Sequence, residues 1–175
     1  MAGRLTLRPL RAADAEAFVA AARRSRWLHR PWLTAPCTAA AFGKHLDRFE
    51  APGSYAFVAE LGTSQQLVGA LYLTNIVHGP FCSGYLSYCA FAPLQGQGHM
   101  KQALWQLVRI AFGDLGLHRI EANIQPGNAA SIALVRGCGF VREGYSAAYL
   151  KIGGRWRDHE RWALVRPARR GAARG

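Results

Sequence analysis

The sequence predicts a mixed α/β fold, with a largely antiparallel central sheet of about seven strands and helices on both faces. Three features predict it. Segments with strand and helix spacing follow one another as β-α-α-β-β-β-α-β-α-β-β. Helices alternate with strands only in the middle and second half, so part of the sheet must be antiparallel. Two pairs of strands are joined by short Gly- or Ser-rich loops, as hairpins are.

Leu5-Thr6-Leu7-Arg8 alternates apolar and polar residues as a half-buried strand does. Asp14 precedes Ala15, Phe18, Val19, Ala21 and Ala22, a capped amphipathic helix. Thr38 opens a second helix through Phe42, Leu46 and Phe49. Tyr55–Leu61 and Leu67–Thr74 are strands around a loop at Gly62–Gln66. After Gly79-Pro80 comes a strand over Gly84–Phe91, then Gln95-Gly96-Gln97-Gly98 and a helix from His99 to Phe112. Arg119–Ile124 alternates again. Asn128 caps a helix over Ala129–Arg136, which Gly137-Cys138-Gly139 ends. Phe140–Ile152 and Trp156–Val165 form a last hairpin around Gly153-Gly154.

The chain has 175 residues, 50% apolar and 18% charged, a composition that excludes a disordered chain. Residues 1–165 are read as one domain and 166–175 as a basic, mobile tail. The net charge is +12, which raises nucleic acid, a membrane surface or an anionic ligand as partner. Yet Arg is concentrated in residues 1–30 and in the tail, and the middle is nearly balanced. No run approaches the roughly 18 apolar residues needed to cross a bilayer. The Arg-bearing N-terminus is unlike a secretory leader, so a cytoplasmic protein is expected. Cys37, Cys82, Cys89 and Cys138 show neither CxxC pairing nor metal-ligand spacing. They are expected to be free thiols, and no metal is expected.

The segment Gln95-Gly96-Gln97-Gly98-His99-Met100 joins a strand to a helix. Glycines there let backbone approach a ligand. The unpaired N–H groups and dipole of the helix start suit phosphate or pyrophosphate. A Walker A loop is excluded, because no Gly-Lys-Ser/Thr is present. The dinucleotide fingerprint G-x-G-x-x-G fails at Lys101. About thirty residues on come Asn128-Ala-Ala-Ser131 and Leu134-Val-Arg136-Gly-Cys-Gly139-Phe140. Together these resemble the GNAT superfamily of acetyl-CoA-dependent N-acetyltransferases, over roughly residues 4–165. Asn75-Ile-Val, His118-Arg-Ile-Glu121-Ala-Asn123 and the stretch from Glu143 to His159 resemble its ribosomal-protein-alanine (RimJ/RimL) branch. Met100 departs from the Gly or Ala usual at its position.

The resemblance implies a splayed strand pair forming the acetyl-CoA cleft. Backbone N–H groups of Gln97, Gly98, His99 and Met100, with Gln95 and Gly96, would hold the pyrophosphate. Backbone of Cys89, Ala90 and Phe91 would pair with the pantetheine arm, and an N–H there would polarise the thioester carbonyl. Asn128 would position the pantetheine. Arg136 is either a neighbour of the adenosine-phosphate end or an exposed helix-end cation. Ser131 is the candidate acid for the departing thiolate, or else a second cap hydroxyl; Tyr145 and Tyr149 are further candidate acids. No acid lies on Gly84–Phe91. Glu121 is therefore the first candidate base and Glu160 the second, unless both are structural. A weak base favours an α-amine, with a pKa of about 8, over a Lys side chain near 10.4. Trp27, Trp32, Tyr72 and Phe81 are expected to flank the acceptor, or else to close the core edge. His99 is expected to point to solvent.

The leading function is acetyl transfer to the N-terminal amine of a protein, ribosomal in type, by a monomer or homodimer. A small-molecule amine (amino acid, polyamine or antibiotic) is the alternative acceptor. A basic nucleic-acid-binding module, or a CoA-binding module without catalysis, is the alternative of another class. The first predicts aromatics interleaved with basic residues along one element, and the tail has none.

Overall fold

The computed structural model describes residues 4–62, 64 and 66–168. Seven strands form one sheet in the order β1-β2-β3-β4-β5-β7-β6. They are β1 (Leu5–Pro9), β2 (Tyr55–Leu61), β3 (Gln66–Val77), β4 (Ser83–Ala90), β5 (Arg119–Ile124), β6 (Val141–Ile152) and β7 (Arg155–Val165). All neighbours are antiparallel except β4 and β5. A parallel pair needs a long crossover, and helix α4 (His99–Phe112) supplies it.

Helices α1 (Ala15–Arg24), α2 (Arg26–His29) and α3 (Ala39–Asp47) precede β2, and α5 (Ala129–Gly137) follows β5. Helix α2 breaks the expected plain connection between the first two helices. Thr38 caps α3, its Oγ1 accepting from the Ala41 N–H at 3.1 Å. Asn128 caps α5, its Oδ1 accepting from the Ser131 N–H at 3.2 Å. Both match the helix starts that the sequence indicates.

The sheet has a core on each face. Leu71, Leu86, Ile120 and Trp162 pack with α4 and α5 through Leu104, Leu107 and Val135. Val58, Ala70 and Phe91 pack with α1 and α3 through Phe18, Val19 and Phe42. The edge strand β1 is tied to α4 by one side chain. Gln106 Oε1 accepts from the Leu7 N–H, and its Nε2 donates to the Leu5 carbonyl, both at 3.0 Å. These bonds occupy backbone groups that an edge otherwise leaves open. Backbone bonding runs one residue past the expected domain end, because the Arg166 N–H donates to the His118 carbonyl at 2.8 Å. The rest of the expected tail, from residue 169, lies outside the described residues.

Candidate active site

Strands β4 and β5 pair from Ser83↔Arg119 only as far as Leu86↔Ala122. Beyond that they part, while β4 stays on β3 up to Gly69↔Ala90. The Phe91 N–H donates to the Val68 carbonyl at 2.8 Å. Alternation along an antiparallel strand then turns the Cys89 backbone toward β3, and that of Tyr88 and Ala90 toward the gap. This corrects the expected pantetheine contacts: the backbone of Cys89 and the N–H of Phe91 are used inside the sheet. The Ala90 carbonyl is also taken. His29, buried on α2, donates to it from Nε2 at 2.8 Å. Burial pushes the His29 pKa down, so the ring is neutral and holds α2 against the end of β4. The gap-facing groups left are those of Tyr88 and the N–H of Ala90.

At the open end of the gap, Gly96 and Gly98 have φ of +75° and +81°. A side chain at either would meet no atom within 4 Å, so the glycines are required by conformation and leave the approach clear. Helix α4 starts at His99, and the Gln102 N–H is bonded to the Gly98 carbonyl. The N–H groups before Gln102 have no helical partner. Gln95 Oε1 and His99 Nδ1 are buried without a protein partner. His99 is thus half-buried and turned inward, contrary to expectation. Met100 packs instead on β3, its Sδ against Gly69.

Across the gap, Tyr88 of β4 meets Ser131 in the first turn of α5. Their hydroxyl oxygens lie 2.5 Å apart. The Tyr88 hydroxyl also donates to the Ser131 carbonyl at 3.2 Å. Burial raises the Tyr88 pKa well above its ordinary value of 10, against a smaller lowering by Ser131. The phenol is protonated at neutral pH. The sequence reading missed Tyr88. Its signal was position: it stands two residues before Ala90 on the strand that splays.

On the α1–α3 face lies a cavity of 410 Å³, lined by Tyr72, Ser87, Tyr88, Cys89, Arg48 and the hairpin residues Lys151–Gly153 among others. A second, of 610 Å³, lies between α2 and α3 and includes Arg26, Arg30 and Lys44. The two share the wall Leu33–Pro36 with His45 and Arg48. His45 is set edge-on to Tyr72, ring centres 5.0 Å apart, and its Nε2 is buried without a partner. Burial first, and the Arg48 charge second, hold its pKa down to about 4. No Asp or Glu lines either cavity among the described residues.

A parted parallel strand pair, with a glycine-shaped helix start at its open end, is the arrangement that the sequence resemblance anticipates. Residues 4–141 match the family described as "Acetyltransferase (GNAT) domain". The chain belongs to the GNAT acetyltransferase family. It is 39% identical over 103 residues to the [ribosomal protein uS5]-alanine N-acetyltransferase of Escherichia coli, covering 59% of this chain and about half (53%) of that relative. It is 26% identical to the spermidine N(1)-acetyltransferase of Vibrio cholerae over 94% of this chain and 95% of that protein. The structure of Mycobacterium smegmatis RimJ in complex with CoA-disulfide superposes with TM-score 0.84 at 29% identity, covering 93% of this chain and 82% of that one. The protein is an acetyl-CoA-dependent N-acetyltransferase.

The GNAT fold of this chain puts several other expected residues outside the gap. Glu121 lies where β4 and β5 are still paired, opposite Tyr85, and accepts from Arg119 Nε at 2.7 Å. Arg119 also holds Glu143. Glu160 accepts from Trp162 Nε1 at 3.0 Å and pairs with Arg142 at 3.5 Å. Both carboxylates are thus held by neighbouring side chains. Tyr145 is exposed on the edge strand β6, bonded to Asp158. Tyr149 packs near His159, ring centres 6.1 Å apart. Asn128 spends its amide oxygen on the cap. Arg136 sits 5.6 Å over the Trp162 ring. Of the four acceptor aromatics, only Tyr72 lines a cavity described above. Trp27 is 64% and Phe81 75% exposed, and Phe81 precedes β4, at the end of the sheet away from the gap. Trp32 packs at Gly127, and its carbonyl accepts from Gln125 Nε2 at 2.9 Å. The cysteines are free, with Cys89 and Cys138 buried. Among the described residues no helix is long and apolar enough to cross a membrane.

Proposed function

We propose that this enzyme moves the acetyl group of acetyl-CoA to the N-terminal α-amine of a protein. The charge of the acceptor cavities carries the choice of amine: Arg26, Arg30, Lys44, Arg48 and Lys151 line them, with no carboxylate among the described residues. A polyamine, with several positive charges, meets repulsion there. A peptide N-terminus brings only one, and near its pKa of about 8 it is often neutral.

The glycine loop and the start of α4 offer N–H groups to the pyrophosphate. The gap-facing backbone of Tyr88 and Ala90 offers an edge to the pantetheine. The neutral amine nitrogen attacks the thioester carbonyl carbon, and the Ala90 N–H stabilises the oxygen as it gains charge. The C–N bond forms and the C–S bond breaks. The departing thiolate takes a proton from the Tyr88–Ser131 pair, which is replenished from solvent. The amine loses its proton to bulk solvent through water in the cleft, since no Asp or Glu lines either cavity among the described residues.

Release of CoA thiol from peptides with N-terminal Ala, set against spermidine, tests this reading. Peptides should turn over, with kcat/KM rising with pH up to the α-amine pKa of about 8. Spermidine turnover equal to that of the peptides would overturn it. Tyr88→Phe should lower kcat about 100-fold and leave the KM for acetyl-CoA unchanged. Ser131→Ala should do the same to a smaller degree, since the Tyr88 hydroxyl remains.

A further inference from the structure

The larger cavity is not needed to hold the amine or the thioester. Its wall is α2, the turn Leu33–Thr38 and one side of α3, and it contains no residue of the loop 95–100. Four cations stand around it: Arg26, Arg30, Lys44 and Arg48. None takes part in an ion pair among the described residues. By contrast, Arg8 is paired with both Asp14 and Glu60, and Arg119 with both Glu121 and Glu143. Like charges gathered without counter-charge repel one another. Such a cluster is relieved when an anion enters.

Because the two cavities share a wall, an acceptor chain whose amine lies at Tyr88 continues into the larger one. An extended chain advances about 3.3 Å per residue, so its second to fourth residues come under the cations. Arg48 lines both cavities and stands where they join. We propose that the cavity between α2 and α3 is an anion subsite that reads an acidic side chain near the start of the acceptor peptide. The inference rests on the α-amine reading above and narrows it to acidic N-termini. Nucleic acid is the less favoured ligand, because among the described residues the only aromatic rings in the lining are the imidazoles of His29 and His45, and single strands bind by stacking on aromatics between cations.

Two peptide pairs test it, each differing only by Asp or Asn at the third residue. One pair has a free N-terminal Ala and is followed by thiol release. The other is already N-acetylated and is followed by calorimetric binding, which needs no turnover. The Asp peptide should be favoured about tenfold in both measurements at low salt, and less as salt screens the charges. Arg30→Gln with Arg48→Gln should erase that preference and leave the KM for acetyl-CoA as it was. Arg48→Glu should shift preference toward a Lys peptide. Equal behaviour of the Asp and Asn peptides in the binding measurement overturns the subsite. So does a shift in the KM for acetyl-CoA in place of the peptide preference, which would assign the cations to the CoA phosphates. Displacement of the Asp peptide by a short RNA would transfer the site to nucleic acid and overturn it as well. Failure of turnover with tight binding of the acetylated Asp peptide counts against the α-amine reading and supports the subsite.

Discussion

The two sides of the β4–β5 gap are built from different materials. The side proposed for the cofactor is backbone: Gly96 and Gly98 in the left-handed region, the first N–H groups of α4, and the gap edge at Tyr88 and Ala90. The side proposed for the acceptor is side chains from α2, α3, β3, β4 and the β6–β7 hairpin, gathered around two cavities. Backbone recognition needs a particular local conformation and tolerates most side chains, so its trace in the sequence is glycine spacing. Side-chain recognition depends on which distant segments the fold brings together, so it leaves no local spacing.

The largest effect should come from breaking the backbone side. Gly98→Glu puts a side chain at φ +81° and a negative charge where the proposed function places the pyrophosphate. Binding only the folded state raises Tm. Millimolar acetyl-CoA should therefore raise the Tm of the parent and leave that of this variant unmoved, with turnover lost. A normal ligand-induced shift in the variant would show that the α4 start does not hold the phosphates.

A smaller effect sharpens the acceptor side. His45 is half-buried there, its Nε2 enclosed without a partner and its pKa near 4, against about 6.5 in an unfolded chain. Between those values the unfolded chain binds a proton that the folded one refuses, so stability falls as pH drops from about 6.5 toward 4. His29, its pKa also lowered by burial, adds to the same slope. Urea midpoints across that range should show the decline, and His45→Phe should flatten part of it. An unchanged slope would mean that the imidazole is hydrated in solution.

This contrast explains what was legible. The order of strands and helices was, because apolar spacing and the caps at Thr38 and Asn128 are local signals. The four-residue α2 was not, since Arg26–His29 is too short to show a period. The glycine-shaped turn into α4 was legible through Gly96 and Gly98, whose positive φ the structure shows. Ser131 was legible by its spacing from Asn128, but its partner Tyr88 was not, because they meet only across the gap, 43 positions apart in the chain. The partners of the carboxylates were not legible: Glu121 and Glu160 stand on strands that enter the site region, and Arg119, Arg142 and Trp162 hold them. An alternating strand pattern assigns a residue to a face without naming its partner. The aromatics misled for a related reason: Trp27 and Phe81 were chosen for type and segment, and the fold turns both to solvent.

The early end of β4–β5 pairing at Leu86 and Ala122 gives the sheet an edge in its middle. Amides on such an edge are open to solvent, whereas those in a paired ladder are protected. Hydrogen exchange at Ala90 should therefore be fast in the free enzyme, and that at Phe91, one residue on but bonded to Val68, should be slow. In the proposed binding mode the cofactor arm completes the ladder, and its addition should bring the two to similar protection. Adjacent amides thus become a built-in reporter of whether the thioester arm is in place.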